Sequence, residues 1–370
     1  GGNYSFFTEV DGMSRTGFPW ADIANDGSSI IGKHEGTGGE VSIGTVTSQL
    51  LYEIGSPSYL GPDVTARFDT LELEQLSPDR VLIKNAKGEP PPETLKVSMN
   101  KLGGYRTDMS IALTGLDIKE KAELVEEAFW KACPHEPEDF ESVKTKVVRT
   151  DKDDPQTNEE AVALWKITVK DSDERKVGRA IFNSVNELGL ATIPGMFGIG
   201  GGGNARPFGI HWPALIPSDL VPQHVIIRDG ERTIVESYIL GDPVTINPPD
   251  DKAPVDDFGK TVKAPLGLLV GARSGDKTGN ANLGVFARNR AAWLWLDCFL
   301  TTEKFQELLP ETSELQIDRY RLPKIFSLNF LVHGLLEEGV ASSTRQDSQA
   351  KSFGEWLRAR VVDIPEGLIS

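Results

Sequence analysis

The chain has 370 residues, of which 39% are hydrophobic and 25% charged, as is typical of a globular protein large enough for two or three domains. A formal net charge of −16 argues against nonspecific nucleic-acid binding, which needs clustered Lys and Arg, and against an anionic membrane surface. No apolar run reaches the roughly 18 residues of a membrane-spanning helix. Cys133 and Cys298 form no CxxC pair, so we expect a reducing, cytoplasmic location, and the scattered His residues show no metal-binding spacing.

A glycine-rich loop dominates the first part of the chain. A short apolar strand leads into the loop Gly36–Gly39, and Thr45 is the expected N-cap of the helix that follows. Unpaired backbone N–H groups at such a helix entrance attract a phosphate, a carboxylate or an enolate oxygen, and Lys33 and His34 would add positive charge. Alternatively, the glycines only permit a tight turn. No Gly-Lys-Ser/Thr follows at the required spacing, so the loop is not a Walker phosphate loop.

Strands and amphipathic helices alternate through the next part of the chain. The pattern predicts a turn at Asp26–Gly27, strands at 64–69, 71–83, 95–99, 111–115 and 161–169, and helices at 117–132 and 173–189. This alternation indicates an α/β domain with a mixed sheet over residues 1–241. Because Gly1 and Gly2 lead straight into an aromatic segment, we expect this domain to be incomplete at its N-terminus.

A second glycine-rich stretch occupies residues 194–204. Gly198, Gly200 and Gly203 satisfy GxGxxG literally, but Pro207 follows too soon for a good helix, so the stretch is a poor dinucleotide fingerprint. One interpretation is an active-site loop in which Asn204 contributes a hydrogen bond, and the other is plain flexibility. A hairpin is predicted at 225–235, and a linker rich in Pro and Asp at 242–263.

The last part of the chain, residues 264–370, is predicted to be a ferredoxin-like α+β domain, with two helices packed on one face of a small sheet. The pattern predicts strands at 266–273, 283–288, 315–320 and 340–345, and helices at 291–300, 302–309, 325–336 and 348–358. A predicted polar loop at 274–280 is unusually rich in charged and amide side chains, namely Arg273, Asp276, Lys277, Asn280 and Asn282. These side chains either recognise an acidic group on a substrate, with Arg273 bidentate, or pin the loop through salt bridges and Asx turns.

Several motifs carry a family resemblance that extends over essentially the whole chain. They are KHEGTGG at 33–39, TVTSQLLYEI at 45–54, VGRA at 177–180, NEL at 186–188, PG at 194–195, IHWPA at 210–214, ARSGDK at 272–277, NANLGV at 280–285 and LNF at 328–330. Together they resemble the AtuA family, named for acyclic terpene utilisation. The resemblance implies a ferredoxin-like C-terminal domain and a role in the breakdown of branched acyclic terpenoids as acyl-CoA thioesters. It also implies that a further N-terminal segment, with its own glycine-rich loop, precedes Gly1.

The combined hypothesis is a lyase or hydratase that acts on a carboxylate or acyl-CoA through an oxyanion site. Lys33 or His34 would polarise a carbonyl and Glu35 would act as a base, without a metal or redox cofactor and with CoA present only as part of the substrate. The residues expected to bind substrate are Gly36, Thr37, Gly38, Gly39, Thr45, Asn204, Arg273, Asp276, Lys277, Asn280 and Asn282. The alternatives are a non-catalytic protein that binds acyl-CoA or docks a carboxylase, and a structural subunit. We also expect a homo-oligomer.

Overall fold

The computed structural model describes residues 4–189, 193–200, 203–228, 230–235 and 258–369. The chain divides into two compact units. The smaller unit comprises residues 100–212, and the larger one comprises the residues before 100 together with those after 212. Most of the predicted linker at 242–263 lies outside the described residues, so the predicted domain boundaries at 241 and 264 stay predictions.

The first part of the larger unit consists of short strands and one helix. Its elements are β1 (Pro19–Ile23), β2 (Ser29–Lys33), α1 (Ile43–Leu50), β3 (Ser58–Leu60), β4 (Thr65–Arg67), β5 (Glu72–Ser77), β6 (Arg80–Lys84), β7 (Lys87–Glu89) and β8 (Thr94–Val97). The strands pair in the orders β1-β2-β6-β5 and β3-β4-β7. The predicted turn before β2 is confirmed, since Asp26 accepts hydrogen bonds from the backbone N–H and the hydroxyl of Ser28. The alternating apolar positions at 71–83 fall on the two strands of a hairpin, β5–β6, with Asp79 in its turn at φ 60°.

The smaller unit is a sheet with helices packed against it. Its elements are β9 (Asn100–Thr114), α2 (Ile118–Ala132), β10 (Ser142–Val148), β11 (Val162–Asp171), α3 (Glu174–Val177), α4 (Arg179–Leu188), β12 (Met196–Gly198) and β13 (Arg206–His211). The long strand β9 pairs with β11, β12 and β13, and β11 also pairs with β10. The predicted helix at 173–189 is split at Gly178, and the stretch at 194–204 contains a strand where only loop was predicted.

Apolar spacing explains the core of the smaller unit. Ile118, Ala122, Val125 and Phe129 fall on one face of α2, and all four are buried in a cluster with strand residues such as Trp165. The helix predicted at 117–132 is therefore confirmed. At 15 residues it is the longest helix described. Within the described ranges, no helix has both the length and the apolar character needed to cross a membrane.

The second part of the larger unit contains one hairpin, two strand pairs formed by segments distant in sequence, and a four-stranded sheet with helices. Its elements are β14 (Ala214–Pro217), β15 (Gln223–Ile227), β16 (Glu231–Val235), β17 (Thr261–Pro265), β18 (Val270–Lys277), β19 (Asn280–Ala287), α5 (Arg290–Phe299), α6 (Thr302–Leu308), β20 (Ile317–Leu322), β21 (Ser327–Val332), α7 (Phe353–Ala359) and β22 (Val361–Pro365). The sheet order is β18-β19-β21-β20, β17 pairs with β22, and β14 pairs with β8. The hairpin predicted at 225–235 is confirmed as β15–β16.

The α/β class is confirmed, since both units combine sheets with helices. The named strands pair antiparallel throughout the described residues, where a mixed sheet was expected. The succession from β19 through α5, β20, β21 and α7 to β22 follows the βαββαβ order of a ferredoxin-like fold.

The four-stranded sheet has one apolar face and one polar face. Leu283 and Val285 on β19, and Leu328 and Phe330 on β21, are buried against helix residues such as Leu296. The residues between them, including Asn282 and Asn329, point to the opposite face because side chains alternate along a strand. This opposite face, called here the polar face, is covered by the chain segment that follows α1.

Four predictions for this region are corrected. The helix predicted at 325–336 is the strand β21, because alternate residues are buried in the sheet core, and the strand predicted at 340–345 is a series of turns. The polar loop predicted at 274–280 is the end of β18, a tight turn at Thr278–Gly279, and the start of β19. The last helix is shorter than predicted and begins at Phe353.

Candidate functional site

The first glycine loop is held in place from within. The Nζ of Lys33 donates to the carbonyl oxygens of Thr37 and Gly39, at 3.2 and 2.5 Å, and lies 3.3 Å from the carboxylate of Asp79. Gly38 packs so closely on Gly12 that an added Cβ would lie 1.9 Å from the Gly12 carbonyl oxygen. Lys33 therefore has three acceptors within the fold. Gly38 is needed because its backbone packs directly on the backbone of Gly12.

The backbone amides of this loop and of the start of α1 are largely occupied. The N-cap of α1 is Ser42, not Thr45, which sits at the third helical position and completes a capping box with Ser42. The amides of Val41 and Ile43 donate to the side chains of Asp79 and Gln75, both from the β5–β6 hairpin. The premise that these amides are unpaired is therefore wrong.

Three of the four amides in the loop Gly36–Gly39 are bonded as well. Those of Thr37, Gly38 and Gly39 donate to the carbonyls of His34, Arg15 and Asp11, respectively. His34, Glu35 and Gly36 are exposed. A cleft of about 740 Å³ in the larger unit is lined by residues such as Lys84 and Lys324, and by none of the loop residues. The catalytic roles assigned to Lys33, His34 and Glu35 stay predictions without an oxyanion site to support them.

Asn204 lies in the smaller unit, just before β13, and is exposed. Two residues of its glycine loop, at 201 and 202, lie outside the described residues. Its proposed hydrogen bond to a substrate also stays a prediction.

Three predicted residues, Arg273, Asp276 and Lys277, are brought together with three others at the β18 edge of the four-stranded sheet. We call this group the Tyr52 cluster, and it consists of Tyr52, Glu53, Arg273, Asp276, Lys277 and Lys351. Its residues come from the segment after α1, from β18, and from the turn before α7. Three cations stand against two carboxylates, so the cluster has net positive charge in a chain whose net charge is −16.

Two buried asparagines fix the segment that carries Tyr52 and Glu53. The Asn282 amide accepts a hydrogen bond from the backbone N–H of Glu53 at 2.9 Å and donates to the carbonyl of Leu51 at 2.8 Å. It also donates to Asn329, whose own amide donates to the carbonyl of Gly55 at 2.7 Å. Asn282 is thus a positioning residue, and its predicted role in substrate binding is replaced by this one.

Glycines in the hairpin allow this segment to lie directly on the sheet. A Cβ at Gly284 would stand 2.4 Å from Cβ of Leu51, and one at Gly275 would stand 2.6 Å from Cγ of Glu53. Leu51 is itself buried in an apolar cluster with Phe286 of β19. The close contact places Tyr52 over the sheet between Arg273 and Lys351.

The ring of Tyr52 contacts two cations. The guanidinium carbon of Arg273 lies 4.0 Å from the ring centroid and the Nζ of Lys351 lies 4.6 Å from it, both within cation–π range. Burial lowers the pKa of Arg273 from its usual value, although Tyr52 and Glu53 act against this change. A buried guanidinium gains from an anionic partner, because such a partner offsets the loss of hydration.

Lys351 pairs with both carboxylates of the cluster. Its Nζ donates to Glu53, to the hydroxyl oxygen of Tyr52 at 2.5 Å, and to Asp276 at 3.2 Å. Burial alone would raise the pKa of Glu53, but the hydrogen bonds from Lys351 and Tyr52 hold it below its ordinary value. Burial would lower the pKa of Lys351, but its bonds to Glu53, Tyr52 and Asp276 raise it.

Lys277 differs from the other cations of the cluster. Its side chain is half-buried and makes neither a hydrogen bond nor an ion pair with any of the residues that the structure describes. Burial lowers its pKa from the ordinary lysine value, the nearby charge of Lys96 lowers it further, and the charges of Glu53 and Asp276 oppose this. A half-buried ammonium without an acceptor is a natural binding position for an anion.

Two carboxylates elsewhere in the fold are paired. Asp297 on α5 accepts a hydrogen bond from Arg319 on β20, and Asp108 on β9 accepts one from Arg106 of the same strand. The charges in these pairs are compensated within the fold. Lys277 differs from these pairs because its ammonium has no acceptor among the described residues, so it can bind an external anion.

Sequence analysis anticipated part of the Tyr52 cluster. Arg273, Asp276 and Lys277 do lie together, whereas Asn280 holds the turn after β21 by accepting from the backbone N–H of Gly334 at 2.9 Å. Tyr52, Glu53 and Lys351 were missed. Glu53 and Lys351 are 298 positions apart in the sequence, so no local pattern could have joined them.

Among the described residues, no group of three or more His, Cys, Asp and Glu side chains is placed to hold a metal ion.

Comparisons with known proteins address the identity of the chain. Searches of curated proteins and of solved structures found no match. A family model described as acyclic terpene utilisation family protein AtuA matches residues 1–227, and one described as AtuA ferredoxin-like domain matches residues 264–363, which confirms the predicted C-terminal fold. Since the first match alone covers more than half of the chain, this protein belongs to the AtuA family.

Proposed function

We propose that this protein is a lyase or hydratase of acyclic terpenoid breakdown that binds a carboxylate or an acyl-CoA at the Tyr52 cluster. The family is named for acyclic terpene utilisation, which supports a metabolic role. The observation that carries the proposal is Lys277, a half-buried cation without an acceptor in the described chain, on the same strand face as Arg273. We therefore assign the substrate site to the β18–β19 hairpin and no longer to the first glycine loop.

The chemistry of the cluster fits an organic anion. Arg273 presents a planar guanidinium that holds a carboxylate or phosphate through two parallel hydrogen bonds, and Lys277 adds a single compact charge. Lys351 holds the neighbouring carboxylates, so neither repels the ligand as an unpaired charge would. The proposal requires no metal or redox cofactor, and CoA enters it only as part of the substrate. A homo-oligomer and a cytoplasmic location stay predictions.

Calorimetric titration tests this proposal. Isovaleryl-CoA and free isovalerate are titrated into the full chain and into the variants Lys277→Gln and Arg273→Gln. We expect each variant to raise Kd about tenfold, since a hydrogen bond to a charged group contributes roughly 1.5 kcal/mol or more. Lys119→Gln is the matched control, because Lys119 is an exposed lysine of α2. Equal affinity in all four proteins would remove the assignment.

A non-catalytic binding protein is the second candidate. The observation in its favour is that Lys351 engages Glu53, Tyr52 and Asp276 together, so the carboxylates nearest to Lys277 are not free to accept a proton. Incubation with 3-methylcrotonyl-CoA and with its hydrated form, 3-hydroxyisovaleryl-CoA, followed by mass spectrometry of the ligand, separates the two candidates. A hydratase adds water to the C=C bond or removes it, and a lyase breaks the bond next to the hydroxyl carbon, so either changes the mass of the acyl group. A binding protein returns both ligands unchanged.

A further inference from the structure

The amine of Lys277 has a chemical use beyond its charge. We propose that Lys277 is a nucleophile that forms a Schiff base with a ketone or aldehyde carrying an anionic group. The inference rests on the proposed function, because the anionic group is the part of the ligand that Arg273 holds. It narrows the substrate class to carbonyl compounds with a carboxylate or phosphate.

The position of Lys277 suits this role. It is the last residue of β18 and shares a strand face with Arg273 and Gly275. Tyr52 and Glu53 lie directly on Gly275, between the two basic residues along the strand. A ligand held by Arg273 therefore lies beside the segment that also borders the Lys277 amine.

The surroundings of Lys277 favour its uncharged form. The charged groups that act on it are Glu53 after α1, Asp276 on β18 and Lys96 on β8. Both carboxylates accept a hydrogen bond from the single ammonium of Lys351, which offsets one of their two negative charges. Burial and the like charge of Lys96 then act together to lower the pKa of Lys277. Only an unprotonated amine attacks a carbonyl, and burial next to other cations is a known route to a reactive lysine.

The reaction balances without any further reagent. The lone pair of the amine forms a C–N bond to the carbonyl carbon, while the π electrons of the carbonyl move to its oxygen. Protons from the amine pass to that oxygen, the C–O bond breaks, and one water leaves. The product is an imine, which becomes cationic when its nitrogen takes up a proton. Its positive nitrogen can accept the electron pair released when a neighbouring C–C bond breaks, which is the step a lyase needs.

Reductive trapping tests the inference. The full chain is incubated with levulinate, a ketone bearing a carboxylate, and the imine is reduced with sodium borohydride. Hydride from the borohydride adds to the imine carbon and leaves a stable secondary amine, which peptide mass mapping locates. We expect the adduct at Lys277 and its loss in Lys277→Arg. Labelling should also be lost when acetone, a ketone without an anionic group, replaces levulinate at the same concentration.

A second measurement keeps the test independent of whether the variant folds. In the unaltered chain, reductive methylation at a series of pH values should label Lys277 at a lower pH than the exposed Lys119. Adducts spread evenly over the exposed lysines, or a Lys277 that labels in parallel with Lys119, would overturn the inference. If isovalerate binds but levulinate leaves no adduct at Lys277, the Schiff base fails and the anion site stands. If neither ligand binds, the proposed function fails as well.

Discussion

Lys33 and Lys277 each end a β-strand beside a glycine-containing turn, and their surroundings are opposite. Lys33 donates to two backbone carbonyls and pairs with Asp79, so acceptors within the fold already compensate its charge. Lys277 is half-buried with no such partner among the described residues. A lysine near a glycine loop therefore indicates an anion site only when no acceptor within the fold compensates its charge.

The largest expected effect concerns the support beneath the Tyr52 cluster. Asn282→Ala removes three buried hydrogen bonds and leaves the N–H of Glu53 and the carbonyl of Leu51 without partners. We expect the free energy of unfolding to fall by about 3–5 kcal/mol, because each unsatisfied buried group costs roughly 1–3 kcal/mol. Urea unfolding measures this loss. Asn280→Ala, which removes one exposed hydrogen bond, should cost about 1 kcal/mol or less. Similar losses in both variants would mean that the asparagines do not hold the segment.

A direct test of the comparison replaces each lysine by an apolar residue of similar length. Lys33→Met should lower the free energy of unfolding by about 1–2 kcal/mol, since it leaves buried acceptors unpaired, and should not change isovalerate affinity. Lys277→Met should raise the Kd for isovalerate about tenfold or more. It should not destabilise the fold, because it removes a charge that burial penalises. Urea unfolding and calorimetry on the same samples give both quantities. The reverse pattern would assign the anion site to the first loop.

The pH dependence of the Lys277 effect follows from its lowered pKa. The penalty on its charged form is fully present below the folded-state pKa and disappears as the pH rises to about 10.4, the ordinary lysine value. The stability advantage of Lys277→Met should therefore shrink on going from pH 8 to about 10.4. An advantage that stays constant over this range would show that packing, and not charge, is its cause.

A smaller effect is expected at Lys351. Lys351→Met should lower the free energy of unfolding by about 1 kcal/mol or less, because the ion pairs are partly exposed and solvent screens them. The pKa of Glu53 is lowered, so its contribution to the free energy of unfolding is lost as the pH falls below about 4.3. The pKa of Lys351 is raised, so its contribution to the free energy of unfolding persists up to about pH 10.4 and is lost above that. The difference from the unaltered chain should form a plateau between these limits, as measured by urea unfolding across pH. A difference that does not change with pH would exclude an ionic origin.

Local patterns in the sequence anticipated the helices better than the strands. The apolar spacing of α2 and α5 is clear, and Asp26–Gly27 marks a turn unambiguously. The sequence pattern of β21 also fits a helix, because Ile325, Leu328 and Leu331 fall at helical spacing. Only pairing with β19 and β20 decides between helix and strand. Secondary structure that depends on distant partners is not encoded in a short window.

The candidate site was predictable only where its residues are neighbours in the sequence. The polar run from Arg273 to Asn282 is visible in the sequence, although two of its five named side chains, Asn280 and Asn282, are structural. The capping of α1 by Asp79 and Gln75 and the engagement of Glu53 by Lys351 depend on tertiary contacts. Whether a polar group is free or satisfied is settled by such contacts, so residue type alone could not distinguish Lys33 from Lys277.

The asparagine-lined polar face has a consequence for the ancestry of this architecture. Residues of the first 99 and of the ferredoxin-like region share one apolar cluster, in which Leu51 and Ile54 meet Phe286 and Leu322. A protein that exchanged its ferredoxin-like region for another would lose the apolar contacts that the segment after α1 makes with that region. The two stretches should therefore be inherited as a matched set, and chimeras between distant relatives should fail unless both are swapped together.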